Sequence, residues 1–101
     1  MAVVEFVIVP LGIGTTSVSR YVAAIEQELS EHSEGLNYEL TAMSTIIEGD
    51  LDQILAVIRR LHEVPYRLDA KRVSTTIRID DRRDKVGTIK QKVESVREKL
   101  K

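Results

Sequence analysis

The residues with usable chemistry in this 101-residue chain concentrate in Met43-Ser44-Thr45-Ile46-Ile47-Glu48-Gly49-Asp50. Two hydroxyls and a carboxylate sit there on a short β-like run that ends in a glycine and a helix cap. Groups of that kind can orient a ring that carries both donors and acceptors. The competing reading is a hairpin whose polar residues face water, with Glu48 favoured by the dipole of the helix that follows. Glu5 is a second candidate, the one charge in the apolar stretch Ala2 to Pro10. Buried alone it would cost roughly several kcal/mol, so it needs a partner, with Arg72 and Arg78 as the available cations. That partnership belongs either to a subunit interface or to a ligand site.

The loop Pro10 to Ser17 lies between a strand and a helix start, where backbone amides favour an anion. Gly12, Gly14, Thr16 and Ser17 would form that anion site, although the loop lacks the lysine and spacing of a P-loop and the third glycine of a dinucleotide fingerprint. A plain turn with a helix cap is the alternative. His32 and His62 fall near the ends of separate helices without a second ligand at a standard metal spacing, and read as solvated. The absence of cysteine excludes disulfides and thiolate chemistry. No metal, cofactor or catalytic constellation is expected, and the chain reads as a non-enzyme.

Composition narrows the partners. Fifteen basic and sixteen acidic residues leave a net charge of −1, which removes the electrostatic footprint of nucleic-acid binding. Four aromatic residues, Phe6, Tyr21, Tyr38 and Tyr66, leave little material for base stacking. The longest apolar runs are far short of a membrane span and the start of the chain carries no basic leader, so a cytoplasmic location without membrane contact is expected.

The elements that must position these residues follow from periodicity. Ala2 to Pro10 reads as a central strand with Val4, Phe6 and Ile8 on one face and Val3, Glu5, Val7 and Val9 on the other. Thr15, Thr16 and Ser17 offer caps for a helix whose Val18, Val22, Ile25 and Leu29 recur at helical spacing and which ends near Gly35. Leu36 to Thr41 and Ser44 to Glu48 form a hairpin. Asp50 and Gln53 open a second helix with the stripe Leu51, Ile54, Leu55, Ile58 and Leu61, ended by Pro65. Lys71 to Asp80 returns to strand, and a charged corner leads to a last helix carrying Val86, Ile89, Val93, Val96 and Leu100.

This order predicts a single α+β domain over residues 1–101, a ferredoxin-like βαββαβ sandwich with an additional C-terminal helix. Both main helices would cover one sheet face. The other face, with Val3, Val7 and Val9 beside Glu5, predicts self-association, the last helix packing on a neighbour or closing a sheet edge.

Four segments, Glu5 to Gly12, Ser17 to Val22, Met43 to Gly49 and Arg72 to Asp84, with Lys92 to Val96 at the end, together resemble the YkoF-like thiamine-binding family. The resemblance implies a ferredoxin-like subunit that forms dimers through its sheets and dimers of dimers. It further implies binding of thiamine or its hydroxymethylpyrimidine part without turnover, as carrier, store or sensor. On that resemblance Ser44, Thr45 and Glu48 would meet an aminopyrimidine edge, Glu5 or Glu48 a cationic thiazolium, and Tyr38, Tyr21 or Phe6 would stack on the ring. Longer family members hold two such units, so a one-unit chain would match them by oligomerising. The alternative is a regulatory protein-interaction module with an incidental anion at residues 12–17.

Overall fold

Alternation in the first strand organises everything after it. In the computed structural model, which describes residues 1–14, 18–84 and 89–100, β1 (Ala2–Pro10) buries Ala2, Val4, Phe6, Ile8 and Pro10 and leaves the residues between them half-buried. It pairs antiparallel with β3 (Thr45–Gly49) on one side and β4 (Val73–Asp81) on the other, and β2 (Asn37–Leu40) adds outside β3. The order β2-β3-β1-β4 is that of the ferredoxin-like βαββαβ fold, completed by α1 (Ser19–His32) and α2 (Leu51–His62). A four-residue helix, α3 (Val64–Arg67), follows α2, and α4 (Ile89–Lys99) is the additional C-terminal helix.

The core lies between the sheet and α1 and α2. Val4, Phe6 and Ile47 from the strands meet Ile25 and Leu29 of α1 and Ile54, Ile58 and Leu61 of α2. The α2 boundary follows from its cap: Asp50 has extended backbone and its carboxylate accepts the Gln53 N–H at 3.1 Å. Just before it, Gly49 has φ +145°, and a Cβ there would run into the Leu36 side chain.

Three local expectations are corrected. The buried residues of α1 are Tyr21, Ile25 and Leu29, so Val22 is turned outward, about 100° round the helix from Tyr21. Helix α1 opens after Val18, which provides no side-chain cap, while the expected caps Thr15, Thr16 and Ser17 lie outside the described residues. Pro65 does not end α2, which stops at His62. It sits in the first turn of α3, where a missing N–H costs nothing.

The second sheet face is not left bare along its whole length. Asn37, Glu48, Val3 and Asp80 form one row across the sheet on the side away from α1 and α2. Lys92 of α4 pairs with Asp80 at one edge, while Lys90, Val93 and Arg97 share a groove with Asn37 and Glu39 at the other. Helix α4 therefore lies across this end of the face, and Glu48 beneath it is buried. The seating is loose, with Val93 43% exposed, Val96 58% and Leu100 79%. Val86 of the expected stripe lies outside the described residues, as does the side chain of Ile89. No described helix is long and apolar enough to cross a membrane.

Replacing Asp50 with alanine removes the one side-chain acceptor that caps α2, which lies on the core. The Asp50→Ala protein is expected to lose about 1 kcal/mol of stability in urea unfolding with an unchanged m-value.

Candidate functional site

Adjacent residues on β3 point to opposite faces, and this divides the expected site in two. Thr45 is opposite Phe6 in the register and so faces the helices, where it is buried. Its hydroxyl donates to Glu26 Oε1 of α1 at 2.7 Å. Ser44 faces the other way, and its hydroxyl donates to Glu5 Oε2 at 2.9 Å. Glu5 is also 3.6 Å from the Arg78 guanidinium, its direct partner in the β1–β4 register. Arg78 is thus the cation for Glu5. Arg72 lies near the opposite end of β4, where its carbonyl accepts the Leu11 N–H, and it is corrected as a Glu5 partner by register alone.

Glu48 belongs to the same face as Glu5 and accepts from Asn37 Nδ2 at 2.7 Å. Tyr38 lies opposite Ile47 and so on the helix side of β2, half-buried against the core. The expected residues are therefore not one cluster. Thr45 occupies the helix side, Ser44, Glu5 and Glu48 the other, while Tyr38 packs against the core from β2 and Arg72 lies just before the start of β4. Of the expected anion loop, Gly12 and Gly14 are exposed with φ +69° and +76°, and Thr16 and Ser17 lie outside the described residues.

A cavity of about 130 Å³ opens on the helix side beside Thr45. Phe6, Ile8, Val22 and Ile25 supply its apolar walls, Glu26 and Thr45 its polar end, and the turn Leu40 to Ser44 its rim. The turn is held by Thr41, whose hydroxyl donates to the Ser44 carbonyl at 2.8 Å and accepts the N–H groups of Ser44 at 3.1 Å and Met43 at 3.3 Å. A second strut joins the Thr41 N–H to the same carbonyl at 2.8 Å. Met43, at the tip, is 84% exposed and overhangs the mouth.

Glu26 was not among the expected residues. It is one of several acids along α1 and lies four residues after Val22, which also lines the cavity, but nothing in the sequence alone sets it apart.

Other titratable groups lie elsewhere. His62 is not solvated as expected: its Nδ1 is 2.6 Å from Thr75 Oγ1 and its ring meets Tyr66 edge-on, so it ties α2 to β4. His32 does have neighbouring ligand-type atoms, with Glu28, Glu31 and His32 within 4.8 Å of one another. Arg67 already sits 3.6 Å from Glu28, which makes the group a charged helix face in ionic contact with α3. The exposed Glu63 carboxyl is held below the ordinary range by the hydrogen bond from Arg59, and Arg82 is raised by its bond to Asp84. Neither lines the cavity.

The family described as thiamine-binding protein matches residues 4–97. The chain belongs to that family. Among its relatives is the UPF0045 protein YqgV of Bacillus subtilis, 47% identical over 99% of this chain and 98% of its own length. The solved structure of the MJ1052 protein of Methanocaldococcus jannaschii superposes with a TM-score of 0.83 at 38% identity, covering 96% of each chain. A Thermotoga maritima protein named for thiamine biosynthesis or salvage shares the fold, with a TM-score of 0.76 at 23% identity over 94% of this chain and 97% of its own. Membership in the thiamine-binding family agrees with the resemblance read from the four sequence segments.

Thr41 closes the cavity rim through its side chain, so Thr41→Ala is expected to lower stability by about 1–2 kcal/mol. Amide exchange should accelerate at Met43 and Ser44 and stay unchanged in the core strand β1.

Proposed function

We propose that this chain is a non-catalytic binding protein for thiamine or its hydroxymethylpyrimidine part, serving as carrier, store or sensor. The observation that carries the reading is the cavity beside Thr45 and Glu26 in a chain of the thiamine-binding family. An apolar cavity of about 150 Å³ holds benzene, so a pocket of about 130 Å³ suits one six-membered ring and not the whole of thiamine. The pyrimidine would enter between Phe6, Ile8 and Ile25, with the thiazolium left at the mouth near Val22, Leu40 and Met43. Thr45 is then the expected residue that touches the ring. Ser44 supports it from behind through the rim turn, while Glu5 and Glu48 act on the opposite face.

Self-association belongs to the same proposal. The stretch of the open face beyond α4 carries Val7, Val9 and Ile46, all half-buried in the single chain, with the Glu5–Arg78 pair among them. A second copy covering that stretch would remove apolar surface from water and shield the ion pair from solvent.

Calorimetry with thiamine and with hydroxymethylpyrimidine is expected to give saturable binding by at least one of them, and no heat at millimolar concentration from either would sink the reading. Val22→Trp should abolish that heat by blocking the mouth while leaving the far-UV spectrum intact, because Val22 is outside the core. Sedimentation should show an oligomer that Val7→Lys shifts to monomer; an unchanged mass would place the contact elsewhere.

A further inference from the structure

The donors and acceptors around the cavity are unevenly matched. Among the described residues, Thr41, Ser44 and Thr45 are the hydroxyl residues at its wall. Each hydroxyl proton is already committed: Thr41 to the Ser44 carbonyl, Ser44 to Glu5 on the other face, and Thr45 to Glu26. No lysine, arginine or histidine is among the described residues that line the cavity. What these described side chains leave for a ligand is acceptor capacity, namely the second carboxylate oxygen of Glu26 and the lone pairs of Thr45 Oγ1. The bond from Thr45 also fixes the rotation of the carboxylate, so the acceptor array is set before a ligand arrives.

We propose that Glu26, oriented by Thr45, is the specificity-determining residue of this pocket, which takes an amino-substituted heteroaromatic ring and rejects the same ring bearing a carbonyl in place of the amine. An exocyclic amine offers two N–H donors to the carboxylate and the threonine oxygen. A carbonyl at that position sets an acceptor against an anion, with no uncommitted side-chain proton among the described wall residues to bridge them. A phosphate in the cavity would meet Glu26 with no facing cation among the described residues, so any phosphate on a ligand stays outside the mouth. This inference rests on the thiamine-type reading above and adds the residue that enforces it.

The test compares 4-amino-5-hydroxymethyl-2-methylpyrimidine with its 4-oxo analogue by calorimetry on the native protein and two variants. The native protein should bind the amino ring about 100-fold more tightly, the loss expected when a hydrogen bond to a charged group is replaced by repulsion. Glu26→Gln should bring the two within a few-fold, because the amide NH₂ donates to the carbonyl. Thr45→Val, which keeps the volume and the carboxylate, should weaken both ligands and preserve the amino preference. Equal affinities in the native protein, or undiminished discrimination in Glu26→Gln, would overturn the role of Glu26 while leaving the thiamine-type reading in place. Failure of the native protein to bind either ring would overturn the role of Glu26, and failure to bind thiamine as well would sink both readings. Should Glu26→Gln not fold, Glu26→Asp retracts the carboxylate by one methylene and must weaken the amino ring selectively.

Discussion

The pleat of β1 and its two neighbours is the constraint on which the rest of the molecule depends. Successive residues on a strand must point to opposite faces, and β1 is paired along five residues with β3 and nine with β4. No local adjustment can therefore bring Glu5 and Phe6, or Ser44 and Thr45, to the same side. One face is committed to the core with α1 and α2, and the other to a mixed surface of valines and charges. A slip of one residue in the β1–β3 register would put Glu48 in the core and Ile47 on the open face, so burial itself holds the register.

Polar groups in this frame are placed where hydrogen bonds reach them. Among the described residues, no buried side-chain polar atom lacks a partner. Glu5 takes Ser44 and Arg78, Glu48 takes Asn37, and Thr45 takes Glu26. Ser44 and Thr45 thus anchor one short strand to both layers, from below through Glu5 and from above through Glu26. The rim turn that follows β2 ends at this anchor and inherits its rigidity from Thr41. Helix α4 stands apart: eleven residues are marginal as an isolated helix, its Lys92 pairs with Asp80 in an exposed contact worth little, and Val93 and Val96 of its apolar stripe stay largely exposed.

Much of the architecture was legible because it depends on short-range pattern. The alternation of Ala2 to Pro10, the Asp50 cap and the strand at Val73 to Asp81 each follow from a period or a cap and recur in the structure, although β4 is half-buried only at Val73 and Thr75 and leaves Ile77 and Ile79 exposed. The errors have a common cause. Val22 was placed in the core without the rotation of α1 about its axis, Arg72 and Arg78 stayed equal candidates for Glu5 without the β4 register, and His62 was read as solvated without knowledge of what faces α2. None of these is a local property. The site shows the same division, since Thr45 and its neighbours stood out by residue type while Glu26, nineteen positions away, did not.

The amino-acid sequence by itself determined the order of elements, the two-faced character of the central strand and the concentration of hydroxyl and carboxylate groups around Thr45. It did so because side-chain alternation, helical period and capping act over a few residues. Only the tertiary structure decided that Ser44 and Thr45 serve different faces with different partners, that Arg78 meets Glu5, that α4 crosses the second face, and that Glu26 closes the polar end of a cavity. Those outcomes turn on strand register and helix rotation, which are set by burial across the whole sheet and leave no mark at any single position.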